Sequence, residues 1–320
     1  MRLPVLLLAL AALLLVSDGT AETRVFESGD WEVWCAGDSG AAPRYMAVSV
    51  GGGSPRQCSE LKIRRQLAGH GEPQLFSVKG IGALRPALPP PGAFGATFYA
   101  SGYWDCALGL RQTLAIESLD VALDPDRTDT LRLGGRAANA PTLAAPDFTL
   151  RLAPPDAAGV LRAEVAYTLV ATADVCVRPA KQELREGFRI ARAASNYLSP
   201  ATHDSDALRF ADASGAVCEP LRNREDFAIR SPRPLADPTL ALVHETAAPR
   251  PTPTVAIRFL EPPADEVSPQ GYVTGTWDPD ADNIDVWGNW DRARAWRAGE
   301  RIGRFAYVLE ASPPAPAGCR

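Results

Sequence analysis

Leu161-Arg162-Ala163-Glu164-Val165-Ala166-Tyr167-Thr168-Leu169 sets Leu161, Ala163, Val165, Tyr167 and Leu169 on one side of an extended chain and Arg162, Glu164 and Thr168 on the other. Successive side chains of a strand point to opposite faces, so a period of two describes a strand with one buried face. The pattern recurs in both directions. Leu61, Ile63 and Leu67 alternate with Glu60, Lys62, Arg64 and Gln66, and Phe148, Leu150 and Leu152 alternate with Thr149 and Arg151. Further on, Val255, Ile257 and Phe259 alternate with Thr254, Ala256 and Arg258. Runs at 32–34, 45–50, 74–78, 97–99, 113–123, 207–211, 226–230, 239–243, 272–277 and 304–309 complete the series. Many short strands at close spacing predict an all-β protein of antiparallel sandwich-like units.

The punctuation agrees. The chain holds 29 Pro and 26 Gly, which suits short strands and turns and opposes long helices. Asp212-Ala213-Ser214-Gly215 separates two short β-like runs and predicts a hairpin. Helices are expected to be few and short, at residues 181–186 and at 291–298, where Ala and Arg favour a helix and Asp291 caps it. Proline-rich or Ala/Gly-rich connectors are expected at 85–92, 134–146, 247–253 and 312–318. The domains implied are an N-terminal β unit over 22–140 and a C-terminal one over 141–320, with 263–320 as a further Trp/Asp-rich unit.

Residues 1–21 read as a secretory signal. Arg2 supplies the charge, residues 5–16 the apolar run, and Gly19 and Ala21 the small residues before a cut after Ala21. The apolar run is too short to cross a bilayer core of about 30 Å as a helix. No cysteine stands at the cut, and no second run of sufficient length follows, so no transmembrane segment is expected after processing. The expected location is the periplasm or the medium. Net charge is −5 and no basic stretch is concentrated, which argues against nucleic acid as a partner.

The cysteines are Cys35, Cys58, Cys106, Cys176, Cys218 and Cys319. In an exported chain they read as a disulfide framework, for which six cysteines allow about 15 connectivities. Proximity in sequence favours Cys35 with Cys58 and Cys176 with Cys218, leaving Cys106 with Cys319. No Cys-x-x-Cys pair occurs.

Chemistry-bearing residues concentrate in 277–296, which holds Trp277, Trp287, Trp290 and Trp296 with Asp278, Asp280, Asp282, Asp285 and Asp291. One reading is calcium: Asp278, Asp280 and Asp282 alternate as the opening ligands of calcium loops do, with Asn283 and Asp285 adding to the shell. The helix-loop-helix version fails, because its sixth position is Asn283 instead of Gly and its twelfth is Asn289 instead of Glu. A second reading is a glycan or peptide platform on Trp277, Trp287, Asn289 and Trp290, aromatic faces stacking on sugar faces beside amide and carboxylate partners. A third makes Trp277 and Trp287 core residues and the aspartates a solvated turn. Apart from calcium no cofactor is expected.

Catalytic motifs are missing from the sequence. His244-Glu245 is followed by Thr246, Ala247 and Ala248, so the second histidine of a zinc-protease pair is lacking. His203-Asp204-Ser205-Asp206 has triad residue types without a nucleophile elbow, and His70 lies in a turn-like run. The leading expectation is a non-enzymatic exported protein that binds a glycan or envelope partner or serves the envelope structurally. The alternative is a glycan hydrolase with Asp278, Asp280 and Asp285 as acid and base, which needs carboxylates about 5 to 10 Å apart.

Two short stretches resemble known families. Gly29-Asp30-Trp31-Glu32-Val33-Trp34-Cys35 resembles the opening of the invasion-associated locus B proteins, over about 40 residues ending near Cys58. That resemblance implies a small β protein of the bacterial envelope. Residues 167–179 resemble a cysteine-bearing strand in the β-sandwich domain of membrane thiol:disulfide reductases. There a second cysteine would fall near Thr172, and the spacing from Cys176 to Pro179 is off by one, so the dithiol is absent. Both resemblances imply an exported bacterial β protein.

Overall fold

The computed structural model describes residues 22–37, 46–65, 74–79, 83–85, 97–100, 103–104, 111–112, 115–139, 142–158, 160–177, 186–189, 207–220, 228–243, 254–261, 272–276, 283–287 and 294–312. Among these residues every regular element is a strand, and the fold is all-β and sandwich-like, rich in antiparallel ladders.

An 11-stranded sheet runs, in spatial order, through Gly215–Pro220, Ala207–Asp212, Thr239–Val243, Thr254–Glu261, Arg301–Ser312, Leu161–Ala171, Leu143–Ala153, Leu131–Asn139, Ala115–Leu123, Met46–Val50 and Arg56–Cys58. Its ladders are antiparallel except where Ala115–Leu123 meets Met46–Val50 in parallel. The alternating stretch lies at its centre. Ala163, Val165, Tyr167 and Leu169 are buried at 0–4% exposure, while Arg162, Glu164 and Thr168 face outward and are half-buried. Burying such apolar side chains stabilises by about 1.5–3 kcal/mol for each Val or Leu.

The second layer is a five-stranded sheet of Glu22–Ser28, Trp31–Ala36, Glu60–Arg65, Gln74–Lys79 and Ala83–Arg85. Trp31, Val33, Cys35, Leu61 and Ile63 from this sheet join Leu119, Leu133, Leu150, Val165 and Tyr307 from the large sheet in one core. The chain passes between the layers within a single residue. Cys58 ends a strand of the large sheet, Glu60 begins one of the small sheet, and Ser59 donates to the Ala36 carbonyl from both its amide and its hydroxyl at 3.0 Å. The expected Cys35–Cys58 disulfide is present at this crossing.

Three expectations need correction or refinement. The helix expected at 291–298 is not formed: Arg294–Trp296 is a strand paired antiparallel with Val175–Val177, and Trp296 is buried at 3%. Burial of Trp296 and a ladder outweigh the modest helix preference of Ala and Arg. Of the segment 181–186, only Glu186 is described, and it opens the strand Glu186–Arg189. Of the Ala/Gly-rich stretch 134–146, residues 134–139 and 143–146 lie in two paired strands, Leu131–Asn139 and Leu143–Ala153, so strands from both sides of position 140 share one sheet. Bulges explain its composition. A Cβ at Gly135 would stand 1.8 Å from the Ser118 carbonyl oxygen, so only glycine fits where the neighbouring backbone presses in. Pro146 falls in the irregularity between Ala144 and Asp147, where a ladder amide is not needed.

The two adjacent glycines differ in what a methyl group would meet. Gly135→Ala pushes against backbone and is expected to destabilise by about 2–3 kcal/mol. Gly134→Ala meets only the Arg132 guanidinium, a movable side-chain end, and is expected to change stability by under about 0.5 kcal/mol. Urea unfolding of both variants checks this, and equal effects contradict it.

Candidate functional site

Of the Trp/Asp segment the structure describes the strands Asn283–Trp287 and Arg294–Trp296. Tyr272–Thr276 pairs with Asn283–Trp287, with Thr276 opposite Asn283 and Tyr272 opposite Trp287. Residues 277–282, which carry Trp277, Asp278, Asp280 and Asp282, are the connector at one end of this hairpin and lie outside the described residues. Asn289 and Trp290 follow the other end and also lie outside them. Asp285 sits mid-strand opposite Thr274. The four steps from Asn283 to Trp287 span about 13 Å along the strand. Val273, buried at 0%, ties the hairpin into the main core. His70, His203 and His244 lie outside the described residues.

The polar constellation that the described side chains do form was not anticipated from the sequence. It stands on the outward face of the large sheet. Asp124 follows the strand Ala115–Leu123 and turns the chain: its amide donates to the Thr130 carbonyl at 2.8 Å, and its carboxylate accepts from the Asp126 amide at 3.0 Å. Arg151 Nε donates to its other oxygen at 2.6 Å. Asp124 is 2% exposed. Burial pushes its carboxyl up, but the bonds from Arg151 and the Asp126 amide, with the charges of Arg151 and Arg127, outweigh that and hold it below the usual range. Beside it Arg127 grips Glu164 with both guanidinium nitrogens, at 2.9 and 2.8 Å. That grip outweighs burial and keeps the Glu164 carboxyl low. Further along, Arg162 bridges Asp156 at 2.7 Å and Glu310 at 2.8 Å.

These carboxylates are fixed anions with cationic partners. The Asp124, Glu164 and Asp156 carboxyls are held below their ordinary range and do not carry a proton near neutrality, so these three suit structural pairing and not general acid catalysis. Among the described residues no group of three or more His, Cys, Asp or Glu converges as a metal site. The signal for this network was present only as outward-facing charges: Arg151 and Glu164 are register partners on neighbouring strands, and a linear reading does not show which strands pair.

The small sheet carries an aromatic counterpart on its outer face. Arg64 lies 4.9 Å and Arg24 5.8 Å from the Trp34 ring, and Trp34 Nε1 donates to Glu32 at 3.1 Å. Glu22 pairs with Lys62 and with Arg64. The residues that carry the locus B resemblance are structural here. Gly29 turns with φ of 56°, Trp31 is buried with its Nε1 donating to the Asp129 carbonyl at 2.8 Å, and Cys35 holds the disulfide.

No protein-family model matches the chain, and no curated protein matches it. Among solved structures, a galactose mutarotase related enzyme from Lactobacillus acidophilus is similar with a TM-score of 0.34 and 10% identity, over 92% of this chain and 98% of that one.

The Asp124 pair gives a pH signature. A carboxyl whose folded value is depressed contributes stability that is complete above its unfolded value, about 3.9, and is lost as pH falls through the lower folded value. Asp124→Asn is expected to lower stability by about 2 kcal/mol at pH 7, with the gap to wild type closing below about pH 4. Thermal melts across pH 2–7 check this, and a gap that stays constant contradicts it.

Proposed function

We propose that this is an exported β-sandwich protein that works by binding a glycan or an envelope partner, with Trp287 and the Asn289-Trp290 stretch after it as the contact region. The observation that carries this reading is the hairpin. Its Tyr272–Thr276 strand is anchored in the core through Val273, and its Asn283–Trp287 strand is the outer member of a three-stranded ladder with Ala228–Pro234. A strand end followed in sequence by Asn289 and Trp290 suits an aromatic platform, since aromatic contacts give area at little entropic cost. The disulfide-bonded state of Cys35, Cys58 and Cys218 supports an oxidising compartment. Calcium held by Asp278, Asp280, Asp282 and Asp285 remains part of the proposal, as a brace for the connector.

Trp287→Ala and Trp290→Ala are expected to weaken retention on envelope polysaccharide at least about tenfold, which corresponds to about 1.4 kcal/mol. Far-ultraviolet circular dichroism and melting of both variants are expected to match wild type. Loss of the folded signal in both variants instead assigns these tryptophans to the core and removes the platform.

A further inference from the structure

The large sheet carries a second, smaller apolar cluster on the face turned from the main core. Ala207, Ala241 and Val243 are 0–4% exposed, and the described partly buried side chains packed against them are Cys218 and Ala256. Cys218 is disulfide-bonded. Its partner is neither Cys35 nor Cys58, which bond each other, so it is Cys106, Cys176 or Cys319. We propose that the partner is Cys319, and that residues 313–319 form a strap over this cluster.

The strand register carries the argument. Cys218 stands opposite Arg209, Arg209 opposite Ala241, Ala241 opposite Ala256 and Ala256 opposite Glu310. One rung of the sheet therefore links Cys218 to the last residues of Arg301–Ser312. The four interstrand steps between those strands amount to about 19 Å at roughly 4.8 Å each. Beyond Ser312 come Pro313-Pro314-Ala315-Pro316-Ala317-Gly318-Cys319. Proline-rich chain extends about 3.1 Å per residue, so this segment reaches about 22 Å. Its length matches the crossing, and its alanines and prolines match the apolar cluster beneath.

Cys176 is at the wrong end. Leu161 pairs with Ala311 and Val170 with Arg301, and Cys176 follows beyond Ala171, in a strand paired with Arg294–Trp296. From the Glu310 rung to Arg301 the strand alone covers about 30 Å, whereas a disulfide needs Cα atoms about 4.4–6.8 Å apart. Tyr103–Trp104 packs against Val175–Val177, and Cys106 stands two residues after Trp104 in sequence, so the same proposal assigns Cys106 to Cys176. The framework is then Cys35–Cys58, Cys106–Cys176 and Cys218–Cys319, which departs from the order that proximity in sequence favours. Each bridge forms as two thiols pass two electrons and two protons to the disulfide of a thiol oxidoreductase, which leaves as a dithiol.

Tryptic mapping of the unreduced full-length chain tests this. Residues 210–222 are expected to migrate joined to 305–320, and 80–111 joined to 163–181, each pair separating on reduction. A link from 210–222 to either 163–181 or 80–111 overturns the proposal. In Cys319→Ser the thiol released to alkylation is expected to be Cys218, and alkylation of Cys106 in its place overturns it equally.

Discussion

The step from Cys58 to Glu60 holds the two layers in one molecule. Within it the chain leaves the large sheet and enters the small one, Ser59 spends its amide and hydroxyl on Ala36, and the Cys35–Cys58 bridge fastens the crossing from the other side. A bridge closing a loop of this size stabilises by about 3 kcal/mol through the unfolded state. Against a typical folding free energy of about 5–15 kcal/mol that is a large share. The core depends on it in a geometric sense as well. Trp31 and Ile63 bury against Leu133 and Leu150 only while the two sheets remain face to face.

Alternation made the fold legible because a one-sided strand writes its face into every second residue. The runs around Val165, Leu150, Ile63 and Ile257 each lie in a strand with those residues buried. Alternation failed where the backbone, not the side chain, makes the contact. Leu131–Asn139 was hidden by Gly134, Gly135 and two alanines, and of these Gly135 is there because the Ser118 backbone crowds the bulge. Arg294–Trp296 was hidden by local preference, since three residues of Arg, Ala and Trp favour a strand only when Val175–Val177 is alongside.

The chemistry was less legible than the fold. Density of Trp and Asp along 277–296 suggested one site, but most of that segment lies outside the described residues, and what is described of it is the strands Asn283–Trp287 and Arg294–Trp296. Conversely Asp124, Arg127, Arg151 and Glu164 stand up to 40 positions apart and show no local pattern, although they form two neighbouring ion pairs on the sheet. Pairing on a sheet is lateral, and lateral neighbours are invisible until strand order is known. Around Asp124, Arg127, Arg151 and Glu164 the outward face of the large sheet is thus occupied by charges that neutralise each other.

Hydrogen exchange read by mass spectrometry, in the oxidised protein and in a Cys35→Ala/Cys58→Ala variant, bears most directly on the role of the crossing. In the oxidised protein, amides of 31–36 and 60–65 are expected to open together with those of 131–139 and 143–153, as one cooperative unit. In the variant, protection of the small sheet is expected to fall first and furthest. Unchanged protection of 31–36 and 60–65 without the bridge would contradict the claim that this crossing holds the two layers together.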